Sequence, residues 1–502
     1  MQAIPSDDLL VLPRPHFALR DGGLYFLLST RPFAEFDVDD SRLWEMLDGR
    51  ATVGLLERRQ SGAKQRLLKF WNLGVCEFAA PEFPSRRRRI LVIEPHMDDA
   101  ILSVGGLMWS LRDSCDFTLA TVGGRSNFTS YYMMERDFFD VRRVTNLRTA
   151  ESALVMRLLG GKHIDMGLPE APLRYHDGNW TLEWFKRHRK AIGAFIGHSG
   201  TEDELELWSN AIERLIRDSE AEEIWMPLGI GSHADHELTR NACLRVLERL
   251  TELTSRRAVF LYQDVPYAST FPWHTEQVVR ALTEAGGMLE RRLEDVADAF
   301  ADKLRLLSIY GSQFKMSYMT PKVEATARLS SRGADGQVEC LYRLSRVPNA
   351  VDLFHAYSGR QIVEDLAIRL TPWYRRNRLA PRIRILSPLS IGRWEQDLGI
   401  LLNAFPKATL EIHVAEGNLA ETEHLISQRI EVRSVKGVRR AWLLRALRLA
   451  VAWPNPTILL PGEARAVMAR AARLLWLPSD TLIGPRMTHL ILALERVNGS
   501  AG

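Results

Sequence analysis

"VIEPHMDDAILSVGG", Val92 to Gly106, is the stretch on which the reading of this chain turns. An apolar, strand-like run ends there, and His96, Asp98 and Asp99 follow at once, with glycines close behind. Two adjacent carboxylates repel one another, and a bound cation would remove that cost. Open parallel sheets bind ligands outside the carboxyl ends of their strands, so these side chains are expected in a crevice. Asp98 and Asp99 are consecutive and must point in different directions, which suggests two different tasks. His96 and Asp99, three apart at a helix start, can turn toward one point.

Two ligands do not make a metal site, and a second stretch offers a third. "EIWMPLGIGSHADHELTRNA" reads as another strand, a glycine-containing loop, and then His233, Asp235 and His236 entering a helix. If both strands end at one sheet edge, His96, Asp99 and His236 form a set of two histidines and one carboxylate with a position left for water. That is the pattern of catalytic rather than structural zinc, although another divalent metal suits it as well. Asp98 then remains as the base that takes the water's proton. His233 can polarise a substrate carbonyl and stabilise the oxyanion, with Asp235 holding it in orientation. The plain alternatives are that PHxDD is a helix N-cap and HxDH a solvated helix start. Finding both clusters at strand ends in one α/β pattern favours the site.

Around these clusters, strand-like runs ("FTLATVGG", "RAVFLYQDVP") alternate with helical ones ("LRTAESALVMRLLG", "DHELTRNACLRVLERL"). The alternation predicts βαβ units: a Rossmann-like parallel sheet with helices on both faces, over residues 86–350. At 502 residues the chain exceeds one ordinary core. Residues 1–82 read as a small winged-helix-like domain able to fold alone, joined by the charged linker "PEFPSRRRR". Residues 378–502 restart the alternation as a C-terminal α/β domain of unreadable role, without phosphate loop, GxGxxG or His/Asp cluster.

The whole chain sets outer limits. It is 46% hydrophobic and 25% charged with a net charge of +4, which is ordinary globular protein and weak grounds for a polyanionic partner. The run Arg86 to Arg89 reads as solvated linker, so no nucleic acid is expected. Cys76, Cys115, Cys243 and Cys340 are far apart and read as reduced thiols. The acidic N-terminal segment and the lack of an apolar run near ~18 residues predict a cytoplasmic chain with no membrane span.

The paired motifs PHxDD and HxDH resemble those of the PIG-L (LmbE-like) family of zinc-dependent N-deacetylases, over roughly residues 88 to 345. The resemblance implies zinc at His96, Asp99 and His236, a general base at Asp98, and His233 as electrophilic partner. It implies removal of an acetyl group from an N-acetylglucosamine-type amide on a glycan or glycoconjugate. Arg148 and Glu151 match the helix with the family's substrate-contacting arginine. Glu170, in "MGLPE", stands where a sugar-binding aspartate is usual, and Lys303, Ser312 and Gln313 match a late segment. Ala100 departs from the glutamate of many members, which bears on substrate detail more than on catalysis.

The N-terminal unit is similar to PqqD-like domains at Leu47, Asp48, Gly49, Thr52 and Val53, which implies a peptide or protein partner there. A plain structural appendage is the alternative. Two competing functions stay open as well: a binding scaffold with a relict deacetylase fold, and a metal amidase acting on another natural-product amide.

Overall fold

Capping and alternation build the N-terminal module. β1 (Leu10–Pro13) is followed by the antiparallel meander β2 (Phe17–Arg20), β3 (Gly23–Phe26) and β4 (Pro32–Glu35). Helices α1 (Val38–Glu45), α2 (Val53–Arg59) and α3 (Ala63–Asn72) come next, then β5 (Cys76–Ala79), antiparallel to β1. The Asp37 carboxylate accepts from Asp40 N at the start of α1, and Thr52 Oγ1 from Leu55 N at the start of α2. Between them the Leu47-Asp48-Gly49 turn is closed by Asp48, which accepts from Arg50 N and Ala51 N, with Gly49 at φ +72°. Side chains alternate across a strand, so β1 turns Val11 into the module's own core and Leu12 into the core of the following sheet; β5 divides Cys76 and Ala79 in the same way. The module thus owns a core yet shares two strands with its neighbour.

The computed structural model describes residues 5–349 apart from 28, 30, 84–87, 130–139, 175–200, 232, 255, 271 and 331–335, and beyond 349 five strands only. The chain divides into two units, Met1–Phe354 and His355–Gly502.

In the first unit the alternating elements are β6 (Arg88–Glu94), α4 (Asp99–Leu111), β7 (Cys115–Thr121), α5 (Val141–Leu158), β8 (Lys162–Asp165), α6 (Ala171–Arg174), α7 (Glu202–Asp218), β9 (Glu223–Pro227), α8 (Ala234–Arg249), β10 (Ala258–Tyr262), β11 (Met288–Asp295), α9 (Phe300–Ser308) and β12 (Val338–Arg346). The sheet runs β11-β12-β10-β9-β6-β7-β8. Its five central and distal strands, β10 through β8, are parallel, while β12 and β11 add antiparallel at one edge. The result is a mostly parallel sheet flanked by helices. β6 lies mid-sheet, with Ile90, Leu91, Val92 and Ile93 all buried, as a strand covered on both faces must be. Arg88 and Arg89, the end of the basic run, open this strand and face Glu223 and Glu220 at 3.1 and 2.8 Å, so the run is only in part a linker.

Because β7 and β8 follow β6 to one side and β9 and β10 lie on the other, the order in which the parallel strands are laid down reverses between β6 and β9. That is the switch point where loops part and leave a crevice. The glycines of the opening stretch serve close packing behind it. A Cβ on Gly106 would stand 3.0 Å from Val296 Cβ and 3.1 Å from Glu339 Oε1. Glu339 accepts from Gly106 N and Leu107 N, where α4 is kinked at Val104, and pairs with Lys303 Nζ at 2.6 Å. Lys303 is therefore part of the packing under the site.

In the second unit, β13 (Arg382–Ser387), β14 (Thr409–Ala415), β15 (Ile430–Val435), β16 (Thr457–Leu459) and β17 (His489–Leu490) form one parallel sheet in the order β15-β14-β13-β16-β17. The segment "WEQDLGILLNAF" lies outside the described residues, as do His176, Tyr131, Tyr132, Met133 and Met134. Among the described residues no helix is long and apolar enough to cross a membrane.

Candidate metal and catalytic site

β6 and β9 are adjacent and parallel, with Val92 opposite Trp225, so the loops after them open at one edge. The His96 and His236 rings stand 5.2 Å apart, and His233 lies 4.9 Å from His96 and 5.2 Å from His236. Asp99 Oδ2 sits between them, 3.0 Å from His96 Nδ1 and 3.3 Å from His236 Nε2. Donors held ~2.0–2.1 Å from one tetrahedral zinc ion stand about 3.3 Å from each other, and both distances from Asp99 Oδ2 are near that value.

The far nitrogen of each of these two imidazoles is held by a carboxylate. His96 Nε2 faces Asp235 Oδ2 at 2.9 Å, and His236 Nδ1 faces Asp264 Oδ1 at 2.7 Å. A proton on each far nitrogen makes the near one, beside Asp99, the nitrogen that a cation would take. Asp235 is itself fixed: Ala171 N donates to Oδ2 at 2.8 Å and Arg174 Nη1 to Oδ1 at 2.5 Å. Asp264 accepts from Gly229 N and Ile230 N through Oδ2. The carboxylates also set the charge balance. Burial disfavours charge on both imidazoles, yet His96 stays raised well above 6.5 and His236 raised, Asp99 being the main opposing influence on each. Asp99 is held down at about 2: burial acts against it, and His236 and His96 more than offset that.

The helix-cap reading of both motifs can be tested directly. Asp98 occupies the N-cap position of α4 without a side-chain cap bond. Asp99 Oδ2 accepts from His96 N, at 2.9 Å, rather than from an amide within the helix. At the start of α8 the cap is His233, whose Nδ1 accepts from Asp235 N at 3.2 Å. This bond places the His233 proton on Nε2. Asp235, expected to orient His233, has its carboxylate on His96 instead, because the helix start turns it inward. The three imidazoles also offer ligand atoms within 4.8 Å of one another, a rival metal set. The Nδ1 cap bond makes His233 the weaker ligand of the three, and Asp99 the better fourth candidate.

Asp98 is partly buried at the cleft. Burial and then the charge of Asp99 push it up to about 7, against the pull of Arg148 and His96. Arg148 and Glu170 lie near enough to Asp98 for their charges to act on it. Arg148 and Glu151 lie three apart on α5 and are both buried. Arg148 Nη1 donates to Glu170 Oε1, and the second oxygen of Glu170 accepts from Ser126 Oγ. Gln313 Nε2 donates to Ser312 Oγ at 2.8 Å. Glu170 and Arg148 thus engage each other in this structure.

Sequence reasoning missed Asp264, Arg174 and Glu94. Glu94, the last residue of β6, accepts from Ala100 N and Thr121 Oγ1 and ties the motif's loop to β7; burial pushes it up to about 8. Thr121 Oγ1 also meets His163 Nε2 at 2.9 Å. The available signal for Asp264 was its place in "YQDVP", at the end of a third strand of the same sheet. Arg174 carried no signal.

The family described as PIG-L, GlcNAc-PI de-N-acetylase, matches residues 91–247. A 2'-N-acetylparomamine deacetylase of Streptomyces fradiae is 29% identical over 250 residues, which cover 50% of this chain and 80% of that protein. Among solved structures, the deacetylase of the A40926 pseudoaglycone aligns at 22% identity and a TM-score of 0.38, covering 52% of this chain and 99% of its own. The N,N'-diacetylchitobiose deacetylase of Pyrococcus horikoshii aligns at 16% identity and a TM-score of 0.33, covering 53% and 85%.

Proposed function

With a PIG-L family domain at residues 91–247, we propose that this chain is a zinc-dependent N-deacetylase that hydrolyses the acetamide of an N-acetylglucosamine-type amino sugar in a glycan or glycoconjugate. One observation carries the reading: Asp99 Oδ2 lies within 3.0 and 3.3 Å of one nitrogen each of His96 and His236, with Asp98 beside it in the same cleft. The relative from Streptomyces fradiae, a deacetylase of an N-acetylated aminoglycoside, supports the amide and sugar class.

In this reading His96, Asp99 and His236 hold the ion. A divalent ion there supplies Lewis acidity to the acetyl carbonyl and to the attacking water. Asp98 takes one proton as the water oxygen bonds to the carbonyl carbon. The Nε2–H of His233 donates to the oxyanion that forms, and its tautomer is set beforehand by the Asp235 amide. Asp98 then returns the proton to the amine nitrogen as the C–N bond breaks, giving acetate and a free amino sugar. Asp235 acts through His96, as a positioning residue.

The test is acetate release from 2'-N-acetylparomamine and N-acetylglucosamine conjugates by the full chain, before and after chelation and after zinc is restored. Chelator-sensitive, zinc-rescued release is expected. Release that survives complete metal removal would overturn the zinc assignment. No release from any of these amides by zinc-loaded chain would overturn the substrate class.

A further inference from the structure

The junction between the N-terminal module and the sheet domain is more polar than docking requires. Buried ion pairs are weak contributors to stability, and apolar packing achieves cohesion at lower desolvation cost. Yet Glu77, on β5, is buried between two arginines. Arg14 donates to Glu77 Oε1, and Arg305, on α9, to Oε2. Arg14 continues to the end of α9, donating to Ser308 O at 3.0 Å and Ser308 Oγ at 2.9 Å. Beside it, His16 is 2% exposed, stacks on Phe26 and packs on Phe17. Its Nδ1 faces Glu151 Oε1 at 3.6 Å, and its ring covers Gly311, where an added Cβ would stand 3.3 Å from Nε2.

Glu151 is the hinge of this contact. Its two oxygens accept from Ser312 N and Ser312 Oγ, and Ser312 Oγ accepts in turn from Gln313 Nε2. One turn back on α5 stands Arg148. Two of the three side chains assigned to substrate binding therefore adjoin the one carboxyl against which the N-terminal module presses.

We propose that Arg14 and His16 are positioning residues for substrate binding, holding the segment Ile309–Gln313 in place through Ser308, Gly311 and Glu151. The N-terminal module is on this account a working wall of the deacetylase site. The proposal rests on the reading of Gln313 as a substrate contact. The directional hydrogen bonds of Arg14 fix the start of this segment at Ser308 where apolar contacts would let it slide, which is a reason for a polar junction.

The experiment uses the full chain with His16→Leu, Arg14→Lys and Gln313→Ala. Readouts are amide hydrogen exchange, zinc content, and KM and kcat for 2'-N-acetylparomamine. His16→Leu keeps the apolar contacts and removes the ring nitrogens that face Glu151 and Gly311. It is expected to speed exchange in residues 309–313 about tenfold while peptides of β6 exchange as before. KM should rise roughly tenfold with kcat changed far less and zinc retained, the signature of lost binding rather than lost chemistry. Arg14→Lys keeps the charge but not the fork that spans Glu77 and Ser308; it should give the same local pattern, more weakly, and serves if His16→Leu does not fold. His16→Gln, which restores a polar group, should recover part of the KM.

Unchanged exchange and KM in both His16→Leu and Arg14→Lys would overturn the proposal, as would equal acceleration in β6, which is global loosening. If the loop loosens in those variants but Gln313→Ala leaves KM alone, the substrate role of Gln313 fails and the positioning of the loop stands. If Gln313→Ala raises KM while the other two leave the loop and KM unaltered, the positioning fails and the substrate role stands.

Discussion

His96, Asp99 and His236 come from the loop after β6 and from the first turns of α4 and α8, which follow two neighbouring strands, whereas Arg148, Glu170 and Gln313 come from mid-helix in α5, the loop after β8 and the loop after α9. The proposed cation side thus follows two adjacent strands, and its two imidazoles are held by carboxylates on their far nitrogens. The proposed substrate side draws on separate elements, and Glu151 beside it faces His16 of the N-terminal module. A cation needs donors placed to a few tenths of an ångström, which strand ends can supply. A substrate pocket has to vary, and loops on a rigid scaffold are where variation is tolerated.

The sharpest way to break this comparison is within the pair of neighbouring aspartates. Asp98→Asn should keep zinc and lose turnover by about a hundredfold or more, the usual worth of a positioned base. His233→Ala should also keep zinc and lose roughly 3 kcal/mol of oxyanion stabilisation. Asp99→Asn should lose zinc, because a neutral amide is a poorer ligand. Metal content and acetate release on the three variants decide it, and zinc lost from Asp98→Asn but kept by Asp99→Asn would reverse the two roles.

A smaller effect is expected one layer out. Asp264→Asn keeps an acceptor for Gly229 N and Ile230 N but no longer favours a proton on His236 Nδ1. Zinc affinity should fall about 10- to 100-fold with the fold intact. A competition titration with a chromogenic chelator measures it, and unaltered affinity would mean that the sheet alone orients His236.

On the substrate side the effect is on stability and its pH dependence. Burial pushes Glu151 up from 4.5 to about 8, against the Ser312 hydrogen bonds and the charge of Arg148. A carboxyl whose folded pKa is raised stabilises fully below pH 4.5, and that contribution is lost as pH rises toward 8. His16, which faces Glu151 and Arg14, behaves oppositely: burial and then Arg14 push it down to about 3, so its contribution is whole above pH 6.5 and is lost as pH falls toward 3. Glu151→Gln should therefore keep about 2 kcal/mol that the parent chain loses between pH 6.5 and 8, and should leave the acid limb in place. Denaturant unfolding across that range, parent against variant, is the measurement. Parallel curves would mean that Glu151 is ionised in the folded chain.

Much of this was legible in the chain. "ILVIEP" and "EIWMPLG" announce strands buried on both faces, because their apolar runs are continuous and short, and the motif residues sit at their ends. The alternation predicts the parallel sheet, and the turn at Leu47-Asp48-Gly49 marks the first helix end. Asp264 was not legible, since a single aspartate in "YQDVP" looks like any turn residue until β10 is seen to lie next to β9. Nor was Arg174, which acts on Asp235 across 61 positions of sequence. The role of Asp235 was misplaced for a related reason: its spacing from His233 is visible, but the direction a helix start gives its carboxylate is not.

The sequence by itself determined what is local. It set which runs are strands, which residues cap or end helices, and that two His/Asp clusters occur at strand ends, because each follows from periodicity and from residue chemistry within a few positions. Tertiary structure alone decided that β6 and β9 are neighbours, that His236 turns Nε2 to Asp99, and that His16 lies against Glu151. Those depend on strand order and on contacts between residues more than a hundred positions apart, for which a linear pattern holds no signal.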